Sequence, residues 1–284
     1  MQEHFHTRPA NCYGHRDMPM NHTILNLLRA GAFGAALAQV PAFAIISYDQ
    51  NVTPGVIFGS GNANGSFTVD RAGGVEIGLR GKIRHNGSGA PENTFNSNGD
   101  GTYTFAAGVA PTQAFPTAVW SFEWSINSNY NGSSGFNLDD LTYSLSVDNN
   151  PTQATSFTSF DLINGLNPGK PGGWWDHSIG TNATTSATDS IASDRPGYEA
   201  LLAANNVAQN SWKAHWNIIP FDPTVDGTYD FQLAAYNGST LVAKSSIQII
   251  VGAGGAAVPD SGATVALVGF ALAGLVGLRR RFVR

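Results

Sequence analysis

The chain has 284 residues, of which 42% are hydrophobic and only 12% are charged, and its formal net charge is −5. Residues 45–257 contain eight Lys and Arg against seventeen Asp and Glu, a formal net charge of −9 without any basic run, which argues against a nucleic-acid partner. Because Cys12 is the only cysteine and precedes this segment, disulfides, thiol catalysis and cysteine metal sites are excluded from it.

Residues 20–44 predict a signal peptide. Arg29 is followed by an apolar stretch over residues 30–40, and Ala42 and Ala44 form the small-x-small pattern that signal peptidase accepts. We therefore expect passage through the export translocon and cleavage after Ala44. Residues 1–19 lack these features, so we interpret them as an extension ahead of the true translation start at Met18 or Met20.

Residues 45–251 predict an all-β domain. Apolar and polar residues alternate over 75–83, 120–126 and 141–147, which predicts one face toward the core and one toward solvent. Further strands are expected at 66–70, 102–106, 214–219, 228–236 and 240–251, with Asn237-Gly238 as a hairpin turn. The prediction is an antiparallel β-sandwich or jelly-roll-like domain of eight to ten strands with one short helix.

The segment from Phe160 to Asn210 shows no sustained alternation. Within it, Asp194-Arg195-Pro196 predicts a helix over about 196–207, with Asp194 or Ser193 near its cap. The remainder is predicted to be a long loop, and loops of this length are usually functional.

This loop contains the candidate site Trp174, Trp175, Asp176 and His177. An exposed indole could hold the apolar face of a sugar ring, while Asp176 and His177 would bond its hydroxyl groups. Alternatively, both indoles close the core beneath the loop. Trp212 and Trp216 are predicted to be core residues on one face of a strand.

No catalytic or metal-binding constellation is expected, and no cofactor. The domain's histidines, His85, His177 and His215, lack zinc-site spacing. Residues 96–101 resemble the first half of a calcium loop, but the twelfth position is Ala107, so a polar turn is the simpler interpretation. Asp139 and Asp140 are adjacent carboxylates. Neighbouring residues on a strand point to opposite faces, so these two would not flank one scissile bond unless the backbone turned.

After a Gly/Ala linker at 252–257, residues 258–284 form a three-part tail. It consists of a polar motif (Val258, Pro259, Asp260, Ser261 and Gly262), an uncharged apolar run at 263–278, and a basic end (Arg279, Arg280, Arg281 and Arg284). The run, as a helix of about 24 Å, approaches the ~30 Å bilayer core, and the arginines favour the cytoplasmic side. A single transmembrane helix is therefore predicted, with the preceding domain outside.

This tail resembles the PEP-CTERM class of bacterial sorting signals, and residues 258–262 match its VPDSG variant. The resemblance implies processing by an exosortase, a membrane-embedded cysteine transpeptidase or protease, in bacteria that make exopolysaccharide. An ordinary membrane anchor would share the topology.

The expectation is an exported, non-enzymatic structural or adhesive protein. It would be anchored transiently in the inner membrane and then reside at the cell surface or in the extracellular polysaccharide matrix of a biofilm. The alternatives are a carbohydrate-binding module that uses the tryptophan loop and a polysaccharide-active enzyme.

Overall fold

A computed structural model describes residues 46–216 and 220–257. Its strands are β1 (Ser47–Gln50), β2 (Phe67–Ala72), β3 (Val75–Ile83), β4 (Thr102–Phe105), β5 (Trp120–Asn127), β6 (Thr142–Asp148), β7 (Phe157–Phe160), β8 (Ser178–Gly180), β9 (Val207–Trp212), β10 (Gly227–Asn237) and β11 (Thr240–Val251). Helix α1 covers Arg195–Ala204, and a 3₁₀ helix covers Leu138–Asp140.

The predicted signal peptide, sorting motif, apolar run and arginine cluster lie outside the described residues. Within 46–216 and 220–257, no helix combines the length and the hydropathy that a membrane crossing requires.

The strands form two sheets that pack face to face. Sheet A has the order β1-β2-β3-β5-β9-β8, and sheet B has the order β4-β11-β10-β6-β7. Neighbouring strands are antiparallel, except that β4 runs parallel to β11. The all-β sandwich is thereby confirmed, with eleven strands in the described part and one parallel pair that the sequence pattern did not indicate.

The core lies between the sheets and is built from alternate residues of the predicted strands. Trp120, Phe122, Trp124 and Ile126 of β5 are all buried. The Phe122 ring meets that of Phe231, from β10 of the opposite sheet, at 4.5 Å between centroids. Because successive strand residues point to opposite faces, the period of two places this whole apolar set on one side of sheet A.

The second face of β3 and β5 is also buried, so the prediction that it meets solvent is wrong. The segment joining β1 to β2 crosses this face and bonds to it. Thr53 N donates to Glu76 Oε1 at 2.6 Å, and Ile57 N donates to Gln209 Oε1 at 2.8 Å. Alternation distinguishes an apolar face from a polar one, but it does not say whether the polar face is covered.

Beneath this covering segment lies a buried ion cluster of Arg80, Lys82 and Glu123. Arg80 Nε donates to Glu123 Oε2 at 2.6 Å, and Lys82 Nζ lies 3.6 Å from Glu123 Oε1. The Arg80 guanidinium lies 4.1 Å and 4.0 Å from the ring centroids of Phe67 and Phe95. Burial lowers the pKa of Lys82, and the nearby Glu123 carboxylate opposes that change. The charges are tolerated there because each faces an opposite charge.

The region after α1 differs from the prediction. The helix ends at Ala204, and residues 207–212 form strand β9, whereas residues 214–216 form a turn rather than the predicted strand. Residues 217–219 lie outside the described part. The sequence pattern did not predict β9, because the strand lacks a clear alternation of apolar and polar residues. Gln209 and Ser211 face the polar layer beneath the covering segment, and Asn210 interrupts the apolar face.

The predicted helix cap is confirmed at Asp194. Its Oδ1 accepts a hydrogen bond from Gly197 N at 2.8 Å, and Pro196 lies in the first turn, where no helical hydrogen bond needs its missing N–H. The helix lies beside the loop between β7 and β8: Tyr198 Oη donates to Ile163 O at 2.8 Å.

The β10–β11 hairpin is confirmed, with its turn one residue later than predicted. Asn237 pairs with Thr240, so Gly238 and Ser239 make the turn. Gly238 has φ of 58°, a left-handed conformation that a residue without Cβ adopts at little cost.

Candidate functional site

A cleft of about 800 Å³ opens at the edge of sheet A beside β9. Of the residues of β9, only 207–209 pair with β8, so in the described structure residues 210–212 have a strand neighbour on one side alone. The loop between β7 and β8 forms the opposite wall. Aromatic side chains in the lining are Phe58, Phe160, Trp175, Trp212 and Trp216, and polar ones include Asn62, Arg84, Lys170, Asp176 and Asn210.

Three stacked rings form an aromatic wall, which comprises Phe160, Trp175 and Trp212. Phe160 stacks on Trp175 at 5.9 Å with an interplanar angle of 22°, and on Trp212 at 6.3 Å with an angle of 18°. The Trp175 indole N–H donates to Gly165 O at 3.0 Å, which holds that ring in place. The wall is therefore a set of nearly parallel, pre-oriented surfaces.

Trp216 adds an exposed aromatic surface to the cleft. Its side chain is 47% exposed, so the prediction that it belongs to the core is wrong, whereas Trp212 is 6% exposed and does pack in the core. The difference arises because the predicted strand is a turn at this point, and a turn does not preserve the alternation that would have placed both indoles on one face.

The four predicted site residues separate into two pairs. Trp175 and Asp176 line the cleft, whereas Trp174 and His177 do not. The Trp174 ring is half-buried against the core, with the Lys170 ammonium 5.6 Å from its centroid. Both adjacent tryptophans pack against the core, and of the two only Trp175 also lines the cleft.

His177 is fully buried and supports the cleft from behind. Its Nε2 lies 2.7 Å from Leu162 O, and its Nδ1 lies 3.4 Å from the amide nitrogen of Asn210. Its ring lies nearly parallel to Trp175, at 5.7 Å and 8°. Burial lowers its pKa from 6.5 to about 4, so the ring is neutral at ordinary pH and its Nδ1 can accept a hydrogen bond from Asn210.

The cleft also contains a pair of opposite charges. Asp176 lies 3.5 Å from Lys170, and both are partly exposed. Asp176 is the single carboxylate among the described lining residues. A second cavity, of about 160 Å³, contains Asp139 and Glu199, but it is smaller than the pockets that usually hold a ligand.

In residues 46–216 and 220–257, no three His, Cys, Asp or Glu side chains come together in a way that could hold a metal ion. In the calcium-like stretch, Asp100 Oδ1 accepts hydrogen bonds from the Thr102 backbone N–H and hydroxyl at 2.9 Å and 2.7 Å, as in a polar turn.

Several cleft residues were not identified from the sequence, notably Phe160, Asn210 and Arg84. They stand far apart in the chain and belong to no motif, and only the order β3-β5-β9 with the loop folded beside β9 brings them together. A Gly-rich loop rich in tryptophan was the one local signal, and it identified Trp175 and Asp176.

Comparison with known proteins identifies one segment. The model of the VPDSG-CTERM motif matches residues 257–282. No curated protein and no solved structure matches the chain. The match does not include the sandwich. It establishes that the chain carries a VPDSG-CTERM sorting motif, a signal associated in general with export, membrane anchoring and processing by an exosortase-type enzyme.

Proposed function

We propose that this is an exported, non-enzymatic protein of the cell surface or extracellular matrix whose sandwich binds carbohydrate in the cleft beside β9. The sorting motif supports the location, because a protein delivered there meets extracellular polysaccharide. In this proposal the domain serves as an adhesive contact between the cell and its matrix.

The observation that carries the proposal is the pre-oriented aromatic wall with an exposed indole beside it. The faces of sugar rings present C–H groups, which pack on flat aromatic surfaces, while hydroxyl groups at the ring edge need hydrogen-bond partners. Trp175 and Trp216 supply surfaces, and Asp176, Lys170 and Asn210 supply donors and acceptors. Because Trp175 is held by Gly165, little side-chain freedom is lost on binding.

The test is calorimetric titration of residues 45–257 with a panel of neutral and acidic polysaccharides. We expect at least one to bind, and Trp175→Ala and Trp216→Ala each to weaken binding about tenfold, which corresponds to about 1.4 kcal/mol. Tyr48→Ala is the matched control, since Tyr48 is an exposed aromatic residue on β1, at the opposite edge of sheet A. Equal weakening by Tyr48→Ala, or no binding to any polysaccharide, would contradict the proposal.

Hydrolysis of polysaccharide is the less favoured alternative. Most glycosidases use two carboxyl groups flanking the scissile bond, and Asp176 stands without a second carboxylate in the described lining of the cleft. Incubation with the bound polysaccharide should release no reducing ends. Release that is abolished by Asp176→Asn would favour the enzyme hypothesis instead.

A further inference from the structure

Four basic side chains gather beside the cleft, and we call them the basic cluster: Arg84, His85, Lys213 and His215. Arg84 lines the cleft together with Trp216. The Lys213 ammonium lies 5.3 Å from the Trp216 ring centroid, and the His215 ring lies 6.5 Å from it. The cluster therefore adjoins the exposed aromatic surface of the cleft.

The charges of this cluster are not neutralised within the described part of the chain. Five of the eight Lys and Arg residues in 45–257 have a carboxylate within 4.0 Å: Arg71, Arg80, Lys82, Lys170 and Arg195. Arg84 and Lys213 have none there, and neither does Lys244, which lies on β11. Burial and the Arg84 cation lower the pKa of Lys213, as expected for like charges held together.

The imidazoles of the cluster also have unused hydrogen-bonding capacity. His85 is 8% exposed, and its Nδ1 lies 3.1 Å from Gly89 O, but its buried Nε2 has no partner among the described residues. The same holds for Nδ1 of His215. A buried polar atom without a partner costs free energy in the folded state.

We propose that the basic cluster binds an anionic group of the glycan, which makes the ligand class an acidic polysaccharide. This inference depends on the proposed function, because the adjacent aromatic surfaces would hold the sugar ring that carries the anion. A carboxylate, sulfate or phosphate would pair with Arg84 and Lys213. The net charge of −9 opposes a densely charged polymer, so the best fit is a glycan whose anionic groups are spaced by neutral sugars.

The experiment compares oligosaccharides of hyaluronan, in which each uronate is separated from the next by a neutral sugar, with the same oligosaccharides after reduction of their carboxylates to alcohols. Sulfated and phosphorylated dextran oligosaccharides provide the other two anion chemistries. We expect the acidic forms to bind at least tenfold more tightly than their neutral counterparts. Arg84→Gln/Lys213→Gln should remove that difference, whereas Lys244→Gln, which removes a charge on β11 that has no carboxylate within 4.0 Å among the described residues, should preserve it.

The outcomes separate the two proposals. Equal binding of acidic and neutral oligosaccharides, or equal weakening by Lys244→Gln, overturns the anion site and leaves the proposed function standing. Binding of single-stranded DNA as tightly as the best acidic glycan would also overturn it, in favour of nonspecific polyanion attraction. Failure of every glycan, neutral or acidic, to bind would overturn both.

Discussion

His177 serves as an uncharged ring inside an aromatic cluster rather than as a solvent-facing partner for sugar. It stacks on Trp175, lies perpendicular to Trp124 at 4.6 Å between ring centroids, and contacts Asn210, which lines the cleft. An imidazole suits this position because it combines an aromatic face with two nitrogens, one toward Leu162 O and one toward Asn210. Burial therefore favours the uncharged form of the ring in the folded state.

The pH dependence of stability should show the effect of burying His177 as a neutral ring. Since the pKa of His177 is about 4 in the folded state and about 6.5 when unfolded, the unfolded chain binds the proton first as pH falls. His177 should therefore have no effect above pH 6.5 and should destabilise progressively below it, by about 3 kcal/mol at pH 4. Urea unfolding of wild type and His177→Gln from pH 8 to pH 4 measures this contribution, and curves that remain parallel would disprove it.

The buried ion cluster should make Glu123 indispensable. Glu123→Gln keeps the shape but leaves Arg80 and Lys82 facing no negative charge in a dry environment. We expect a loss of about 3–5 kcal/mol in the free energy of unfolding. Glu199→Gln breaks the exposed pair with Arg195 on α1 and should cost about 0–1 kcal/mol, so similar losses in the two variants would refute the argument.

Strand β3 is confined by neighbours on both of its faces. Its inner face packs against sheet B, and its outer face lies under the segment that joins β1 to β2. At Gly81 the opposite sheet approaches closely: a Cβ there would lie 2.8 Å from the Phe105 ring of β4 and 3.1 Å from Tyr103 Cβ. Glycine is required here by packing between sheets and not by a left-handed φ.

Gly81→Ala should therefore destabilise the domain by overpacking, by about 1–3 kcal/mol. Gly87→Ala is the matched control, since no atom lies within 4 Å of its Cβ position and its φ is not left-handed. Thermal unfolding followed by circular dichroism measures both variants. Equal melting temperatures would show that Phe105 and Tyr103 shift to accommodate the added methyl group without loss of stability.

Strands such as β5, β10 and β11 were predictable because they pair one apolar face with one polar face. β7, β8 and β9 were not predictable, since they are short or carry polar residues such as Gln209 toward a buried polar layer. The residues of the cleft were predictable only in part, because only some of them belong to a local sequence pattern. Trp175 and Asp176 belong to a local sequence feature, while Asn210 and Arg84 reach the cleft only through the order of strands.

At the scale of the whole molecule, the VPDSG-CTERM motif and the sandwich are separate features of one chain. The motif occupies residues 257–282, and the strands occupy the region between Ser47 and Val251. Transmembrane insertion, exosortase processing and delivery to a biofilm matrix remain predictions. They rest on the apolar run at 263–278 and the arginines that follow it.

Two variants should separate sorting from simple anchoring. Deletion of residues 258–284 should release the protein from the membrane fraction, because the apolar run is lost. Scrambling residues 258–262 should leave an unprocessed, membrane-bound chain, because the run is kept but the motif is lost. Cell fractionation and the mass of the mature chain measure both, and processing of the scrambled variant at the wild-type rate would indicate an ordinary anchor.

From the sequence by itself follow the β-sandwich, the α1 cap, the last hairpin and the sorting motif, because each depends on contiguous residues or on a local period. Tertiary structure alone decided that the polar face of sheet A is covered, that Trp216 is exposed while His177 is buried, and that Arg84 lies beside the same cleft as Trp175. Periodicity records which side of a strand is polar. Whether that side meets water depends on which distant segment folds across it.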